Sequence, residues 1–255
     1  FPMILNLDKS KMSKRKNPTS ISADFREKGF VPEAMVNFMA LLGWSPGNDR
    51  EFFSLDDLIS EFTLDRVGKS PAIFDPVRLD YINAYYIRQM KLGDLAHAAL
   101  PFLEKDNPEG AKYAQEHPEY YLQIIALVQQ RLRRLDEISH LTKYFFEEPI
   151  DYDADLLVAK KSSKEVTLKA LKAAYEALGK LDQLSREDLE RELVKVMSDL
   201  GIGNNDLLWP IRSAITGEQA SPNVFELLEV LGKDRYMKRI AVAIEKLEVG
   251  NGSAK

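Results

Sequence analysis

The segment SREDLERELVKVMSDLG, residues 185–201, decides the fold class. Ser185 and Asp188 form a capping box at its start, because side chains three residues apart can satisfy the free N–H groups of a first helical turn. Gly201 follows as a helix-ending residue. Apolar residues recur between them at the helical period: Leu189, Leu193 and Val196. The segment therefore predicts one complete amphipathic helix.

Comparable signals predict helices along most of the chain. Ser54 with Asp57 and Ser162 with Glu165 form further capping boxes, and proline or glycine marks other ends. Predicted helices cover residues 32–42, 75 toward 90, 118–135 and 221–232. Two others begin at 54 and 162, and two more end at 215 and 247. No alternating strand pattern and no fixed repeat period appear in the last ~150 residues, so the chain is expected to be mainly α and not a solenoid.

Composition limits the classes of function. The 255 residues suffice for about two domains, and residues 151–155 are the expected boundary between two helical bundles. The absence of cysteine excludes disulfides, thiolate zinc sites and cysteine nucleophiles. No histidine pair has metal-ligand spacing, so no metal site is expected. The net charge of −5 means that any nucleic-acid binding must come from local basic patches.

The N-terminus suggests a fragment. The chain begins at Phe1, and FPMILNL at residues 1–7 resembles a strand already under way. We therefore expect that an upstream part is missing. No signal peptide and no apolar run of ~18 residues appears, so we expect a protein without a membrane span, in the cytoplasm.

The sharpest chemical signal is the loop KMSKR, residues 11–15. Two lysines three residues apart, Lys11 and Lys14, can reach one polyphosphate from the same side. Their ammonium groups can neutralise the charge that grows as pyrophosphate leaves. Spacing alone does not separate this interpretation from a solvated lysine-rich loop.

Several segments together resemble one family in the same order along the chain. They are LNLDKS and KMSKR at 5–15, VNFMALLGWSP at 36–46, IFDPVRLDYINAYYIR at 73–88, FFEEP at 145–149 and LWPIRSAITGEQASPNVFELLEVLGKDR at 208–235. The chain resembles the C-terminal half of bacterial glutamyl-tRNA synthetases, which are class I aminoacyl-tRNA synthetases. Their loop usually reads KLSKR, and Met12 in place of leucine leaves both lysines unchanged.

The resemblance implies a domain layout. Residues 1–99 would be the end of the class I catalytic domain with its loop and a tRNA stem-contact region. Residues 100–151 and 152–250 would be two α-helical anticodon-binding subdomains.

The resemblance also implies site residues. Lys14 would stabilise the adenylation transition state with support from Lys11, and Ser13 with Lys14 would bind ATP. Anticodon contacts would come from a later loop: Arg212, Ser221, Pro222 and Val224. A second contact would be one arginine of the first bundle, and the sequence does not select among Arg131, Arg133 and Arg134. Arg131 and Arg134 are expected on one helix face. A surface ion pair is the competing interpretation of Arg212, and a solvated face that of the other three.

The implied partners are tRNA(Glu), with tRNA(Gln) left open, and ATP with Mg and glutamate through the missing N-terminal half. The chain alone is expected to be a monomer and inactive. An alternative is a non-catalytic helical RNA- or protein-binding module. A glutaminyl enzyme is disfavoured because its anticodon domains are β-barrels, and the shorter tRNA-modifying relative lacks residues 151–247 altogether.

Overall fold

The computed structural model describes residues 2–12, 21–148, 150–181 and 185–249, except for the side chains of residues 21–23. The chain forms two compact units. The first comprises Phe1–Glu116 and Val128–His140, and the second comprises His117–Leu127 and Leu141–Lys255. No helix among the described residues is long and apolar enough to cross a membrane.

The described part of the first unit combines a two-stranded sheet with five α-helices. Strands β1 (Ile4–Leu5) and β2 (Ala72–Ile73) pair in parallel, with Ile4 opposite Ala72. The helices are α1 (Pro32–Leu41), α2 (Leu55–Glu61), α3 (Pro76–Gln89), α4 (Leu92–Asp106) and α5 (Pro108–Glu116). Single 3-10 turns occupy Leu64–Arg66, Gln129–Arg131 and Leu135–Glu137, and a π-helical turn covers Ile21–Arg26. A small mixed region near the N-terminus and a helical remainder are what the sequence predicts.

Two buried amides dock the segment 128–140 onto α3. The fully buried Asn83 accepts a 2.8 Å hydrogen bond from Val31 N and donates a 2.6 Å bond to Arg133 O. Gln129 Nε2 donates to Ile87 O at 3.0 Å and to Met90 O at 2.9 Å, which satisfies carbonyls at the C-terminal end of α3. The main chain that carries the candidate arginines is therefore fixed by Asn83 from α3 and by Gln129 of the segment itself.

The second unit is a helical bundle around one apolar core. Its helices are α6 (Pro118–Val128), α7 (Ile138–Phe146), α8 (Lys164–Gly179), α9 (Arg186–Leu200), α10 (Asn204–Thr216), α11 (Val224–Leu231) and α12 (Lys233–Val249); a few residues of α6 and α7 belong to the first unit. The opening prediction is confirmed: Ser185 accepts from Asp188 N, and Gly201 ends α9 in the left-handed conformation at φ +63°. The predicted apolar face is buried in the core, with Leu189 and Leu193 both fully buried.

Three predicted helix boundaries are wrong. The cap of α8 is Ser163, which accepts from Val166 N, and not Ser162. The helix from 118 ends at Val128, because the buried Gln129 turns inward to the carbonyls of α3. Arg131 and Arg134 therefore do not share a helix face.

The helix expected from Ser221 begins at Val224 instead, because Asn223 caps it by accepting from Phe225 N at 2.9 Å. The predicted bundle boundary at 151–155 lies inside the second unit.

Candidate nucleic-acid interface

The approach to the lysine-rich loop is an ordered edge of β1. Met12 N donates to Ile4 O at 3.1 Å, and the main chain of Lys11 forms an isolated antiparallel β-bridge with Leu5. The side chain of Lys11 is exposed. Ser13 and Lys14, the two other predicted ATP-site residues, lie outside the described residues. The structure thus places Lys11 at the entrance to the loop, in a position open to a ligand.

In the second unit, α10 ends in a turn that we call the 217–223 turn. Gly217 closes the helix at φ +69°, a conformation that costs glycine little. Thr216 Oγ1 donates to Arg212 O at 2.7 Å and accepts from Glu218 N at 3.2 Å. Lys143 on α7 forms a 2.6 Å ion pair with Glu218. These contacts fix the first half of the turn.

Arg212 joins α10 to this turn. Its Nη2 donates to Gln219 O at 3.0 Å, and its guanidinium carbon lies 5.0 Å from the centre of the Trp209 ring. Trp209 is itself held by a 2.9 Å bond from Nε1 to Leu156 O. The half-buried guanidinium is therefore held by the ring of Trp209 and by the main chain of the turn, and its contact with the anticodon stays a prediction.

The three other predicted anticodon residues, two in this turn and one at the start of α11, have buried side chains. Ser221 is 6% exposed, Val224 is 5% exposed and Pro222 is also buried. The side chains of these three residues therefore pack inside the unit, and their contact with the anticodon stays a prediction. The exposed side chains here are Gln219, Ala220 and Asn223, which the sequence did not single out.

The three candidate arginines of the first unit have different surroundings. Arg134 is 26% exposed and pairs with Asp80 at 3.2 Å and Asp136 at 3.0 Å. Burial lowers the pKa of Arg134, but these two carboxylates outweigh it and leave the pKa raised. Arg133 is 62% exposed and pairs with Glu137 at 2.9 Å, and Arg131 is exposed on its 3-10 turn. Arg134 is therefore the least accessible of the three.

A cluster of charged side chains around the buried Arg239 lies beside the start of the 217–223 turn. Arg239 on α12 is only 4% exposed and bonds to Glu148 at 2.7 Å, and Arg235 bonds to the same carboxylate at 3.4 Å. Burial raises the pKa of Glu148, but the hydrogen bonds and charges of both arginines outweigh it and hold that pKa below its ordinary value. No local sequence pattern singled out this cluster. Its signal was an arginine three residues after the buried Tyr236, on the apolar side of α12.

No group of three or more metal-ligating side chains occurs among the described residues.

Two family models match most of the chain. The family described as anticodon binding domain matches residues 94–244, and the family described as tRNA synthetases class I (E and Q), catalytic domain, matches residues 1–81. A glutamate–tRNA ligase of Dehalococcoides mccartyi is 39% identical over 97% of this chain. One of Roseiflexus castenholzii is 36% identical over 100% of this chain and 50% of its own length. A crystal structure of a glutamate tRNA ligase from Elizabethkingia meningosepticum is similar with a TM-score of 0.80, at 29% identity over 96% of this chain.

The chain spans about half the length of these relatives: 50% of the D. mccartyi protein and 50% of the E. meningosepticum chain. The match to the anticodon binding domain family alone covers more than half of the chain, and the catalytic-domain match covers most of the remainder. The resemblance inferred from the sequence is thereby confirmed. The chain belongs to the glutamate–tRNA ligase family of class I aminoacyl-tRNA synthetases and carries the C-terminal half with the anticodon-binding domain.

Proposed function

We propose that this chain is the tRNA-reading part of a glutamate–tRNA ligase, which attaches glutamate to tRNA with ATP through a glutamyl-adenylate. Within it, the 217–223 turn contacts the anticodon. The observation that carries this proposal is Arg212, whose guanidinium lies over Trp209 and is bonded to the main chain of the turn at Gln219.

The physical support comes from charge and geometry. At a net charge of −5 the chain has no broad basic field, so affinity for RNA depends on local contacts and falls as salt rises. Single-stranded bases are recognised by stacking on planar groups and by hydrogen bonds to their edges. A half-exposed guanidinium beside an exposed amide, Gln219, supplies both kinds of contact.

The remaining site roles belong to the same proposal. Arg131 and Arg133 are better placed than Arg134 to reach RNA, because the ion pairs of Arg134 are partly buried. Lys11 and Lys14, with Ser13, would serve ATP and its Mg in the intact cytoplasmic enzyme. The boundaries 1–99, 100–151 and 152–250 remain our proposed domains.

Binding of tRNA(Glu) transcripts with each anticodon base replaced tests the proposal. Arg212→Ala should lose about 1–3 kcal/mol of discrimination, concentrated at one anticodon position, because a base contact specifies and a phosphate contact does not. Arg191→Ala is the matched control, since it removes one exposed positive charge from α9 of the same unit.

Equal weakening of all transcripts by Arg212→Ala would assign Arg212 to the phosphate backbone and remove it from the specificity site. Including tRNA(Gln) in the series shows whether the third anticodon position is discriminated.

A further inference from the structure

The C-terminal end of α10, where the 217–223 turn starts, is held by Arg239 from α12. Arg239 Nη1 donates to Ile215 O, two residues before Gly217. Its Nη2 donates to Tyr144 O at 2.8 Å and to Glu147 O at 3.2 Å, both at the end of α7. The side chain of Arg239 therefore links the C-terminal ends of α7 and α10 to α12.

These bonds satisfy groups that a helix leaves open. The last carbonyls of a helix have no partner within it, and a buried carbonyl without a partner is costly. An arginine offers five N–H donors in a fixed plane, whereas a lysine offers one ammonium group. The three nitrogens of the planar group together meet carbonyls of α7 and α10 and a carboxylate, which the single nitrogen of a lysine would have to reach from one point.

The carboxylate of Glu148 orients this guanidinium. Glu148 Oε1 accepts from Arg239 Nε at 3.0 Å and from Nη2 at 2.7 Å, so it receives two bonds from one side chain. Such a charge-assisted pair fixes the guanidinium plane and so fixes where Nη1 points, which is toward Ile215 O.

We propose that Arg239, oriented by Glu148, is a positioning residue that sets the geometry of the 217–223 turn for anticodon discrimination. The inference rests on the proposed function of that turn. Arg239 touches no RNA, since it is 4% exposed. It acts through the end of α10, which places Arg212 and the turn beside it.

Arg235 provides a matched control in the same cluster. It contacts Glu148 at 3.4 Å, Tyr120 Oη at 2.9 Å and Phe145 O at 2.9 Å, but it makes no bond to Ile215. Arg235→Gln thus removes a positive charge next to Glu148 and leaves the end of α10 held. A purely electrostatic or stabilising role of the cluster would respond to both arginines.

The test uses the 255-residue chain with Arg239→Lys, Glu148→Gln and Arg235→Gln. Two quantities are measured: hydrogen exchange of peptides covering residues 213–223, and the ratio of Kd values between anticodon-substituted and native tRNA(Glu). For Arg239→Lys we expect faster exchange in the turn and a ratio reduced about tenfold. Glu148→Gln should reduce the ratio by about threefold, because a neutral partner orients the guanidinium less strongly. Arg235→Gln should change neither quantity.

Each outcome decides a different point. If the unaltered chain shows no discrimination, the proposed function of the turn fails. The positioning role is overturned if the unaltered chain discriminates and both Glu148→Gln and folded Arg239→Lys retain its Kd ratio and its hydrogen-exchange rate in residues 213–223. An equal loss in Arg235→Gln also overturns it, because the effect then belongs to the charge of the cluster. Should Arg239→Lys not fold, Glu148→Gln decides alone.

Discussion

Replacing Gly217 with alanine should destabilise the second unit for two separable reasons. The first is backbone conformation, since φ is +69° and a left-handed residue with a Cβ costs about 1–2 kcal/mol. The second is space, because an added Cβ would lie 2.6 Å from Ile150 Cγ2. Forcing extra carbon into packed surroundings costs about 1–3 kcal/mol, so the sum is about 2–5 kcal/mol.

Gly201→Ala is the control that separates the two costs. Gly201 also ends a helix at a positive φ, +63°, but nothing lies within 4 Å of its added Cβ. It should therefore show the conformational cost alone. A second variant, Ile150→Leu, removes the branched methyl group and should recover part of the loss when combined with Gly217→Ala.

Urea unfolding followed by tryptophan fluorescence measures these differences. The chain holds two tryptophans, Trp44 in the first unit and Trp209 in the second. A Trp44→Phe background therefore reports the second unit alone. If Gly217→Ala costs no more than Gly201→Ala, or if Ile150→Leu restores nothing, the close approach of Ile150 does not constrain the turn.

Three other predictions concern the core residue Leu193, the pairing of Glu148 with Arg239, and the role of Lys14 in adenylate formation. Leu193→Ala should cost about 2–5 kcal/mol of unfolding free energy because Leu193 is fully buried, whereas its neighbour Val194, 49% exposed, should tolerate alanine within about 0.5 kcal/mol in the same urea experiment. The folded-state pKa of Glu148 lies below its ordinary value of 4.5, so the stability that Glu148 contributes is complete above that pH and is lost as the pH falls through the folded pKa. The unfolding free energy measured between pH 3 and 6 should therefore fall less steeply toward acid pH for Glu148→Gln. An unchanged pH dependence would contradict the pairing of Glu148 with Arg239. In the intact enzyme, Lys14→Ala should raise the activation free energy of adenylate formation by about 2–4 kcal/mol and weaken tRNA binding far less. An unaltered single-turnover rate at saturating ATP would reject the role of Lys14.

Local signals predicted the fold where the determinants are close in sequence. Ser185 with Asp188, and Gly201, define α9 within one segment, and the structure follows them. The helix end at Val128 was not predictable in this way, because Gln129 is drawn inward by the carbonyls of Ile87 and Met90, about 40 residues earlier. Tertiary hydrogen bonds there override helical periodicity.

The candidate site shows the same division between local and remote causes. Turn-forming residues and Arg212 were recognisable as one region, and the structure brings them together. The burial of Ser221 and Val224 depends on packing against other helices, which a turn sequence does not reveal. Arg239 resembled any other charged helix residue, since its partners Ile215 and Glu148 are 24 and 91 residues away.

The interleaving of the two units has a consequence for synthesis on the ribosome. The chain passes from the first unit to the second after Glu116, back at Val128 and out again after His140. The buried Asn83 is synthesised about 50 residues before Arg133, whose carbonyl it binds. The first unit therefore cannot complete its hydrogen bonds until residues 128–140 have left the ribosome. By then residues 117–127 have already left it, and they must wait for the rest of the second unit, which starts at Leu141. At about 5–20 residues per second, synthesis of residues 141–255 takes about 6–23 seconds. During it, Ile124, which is fully buried in the core of the finished second unit, is exposed on the nascent chain.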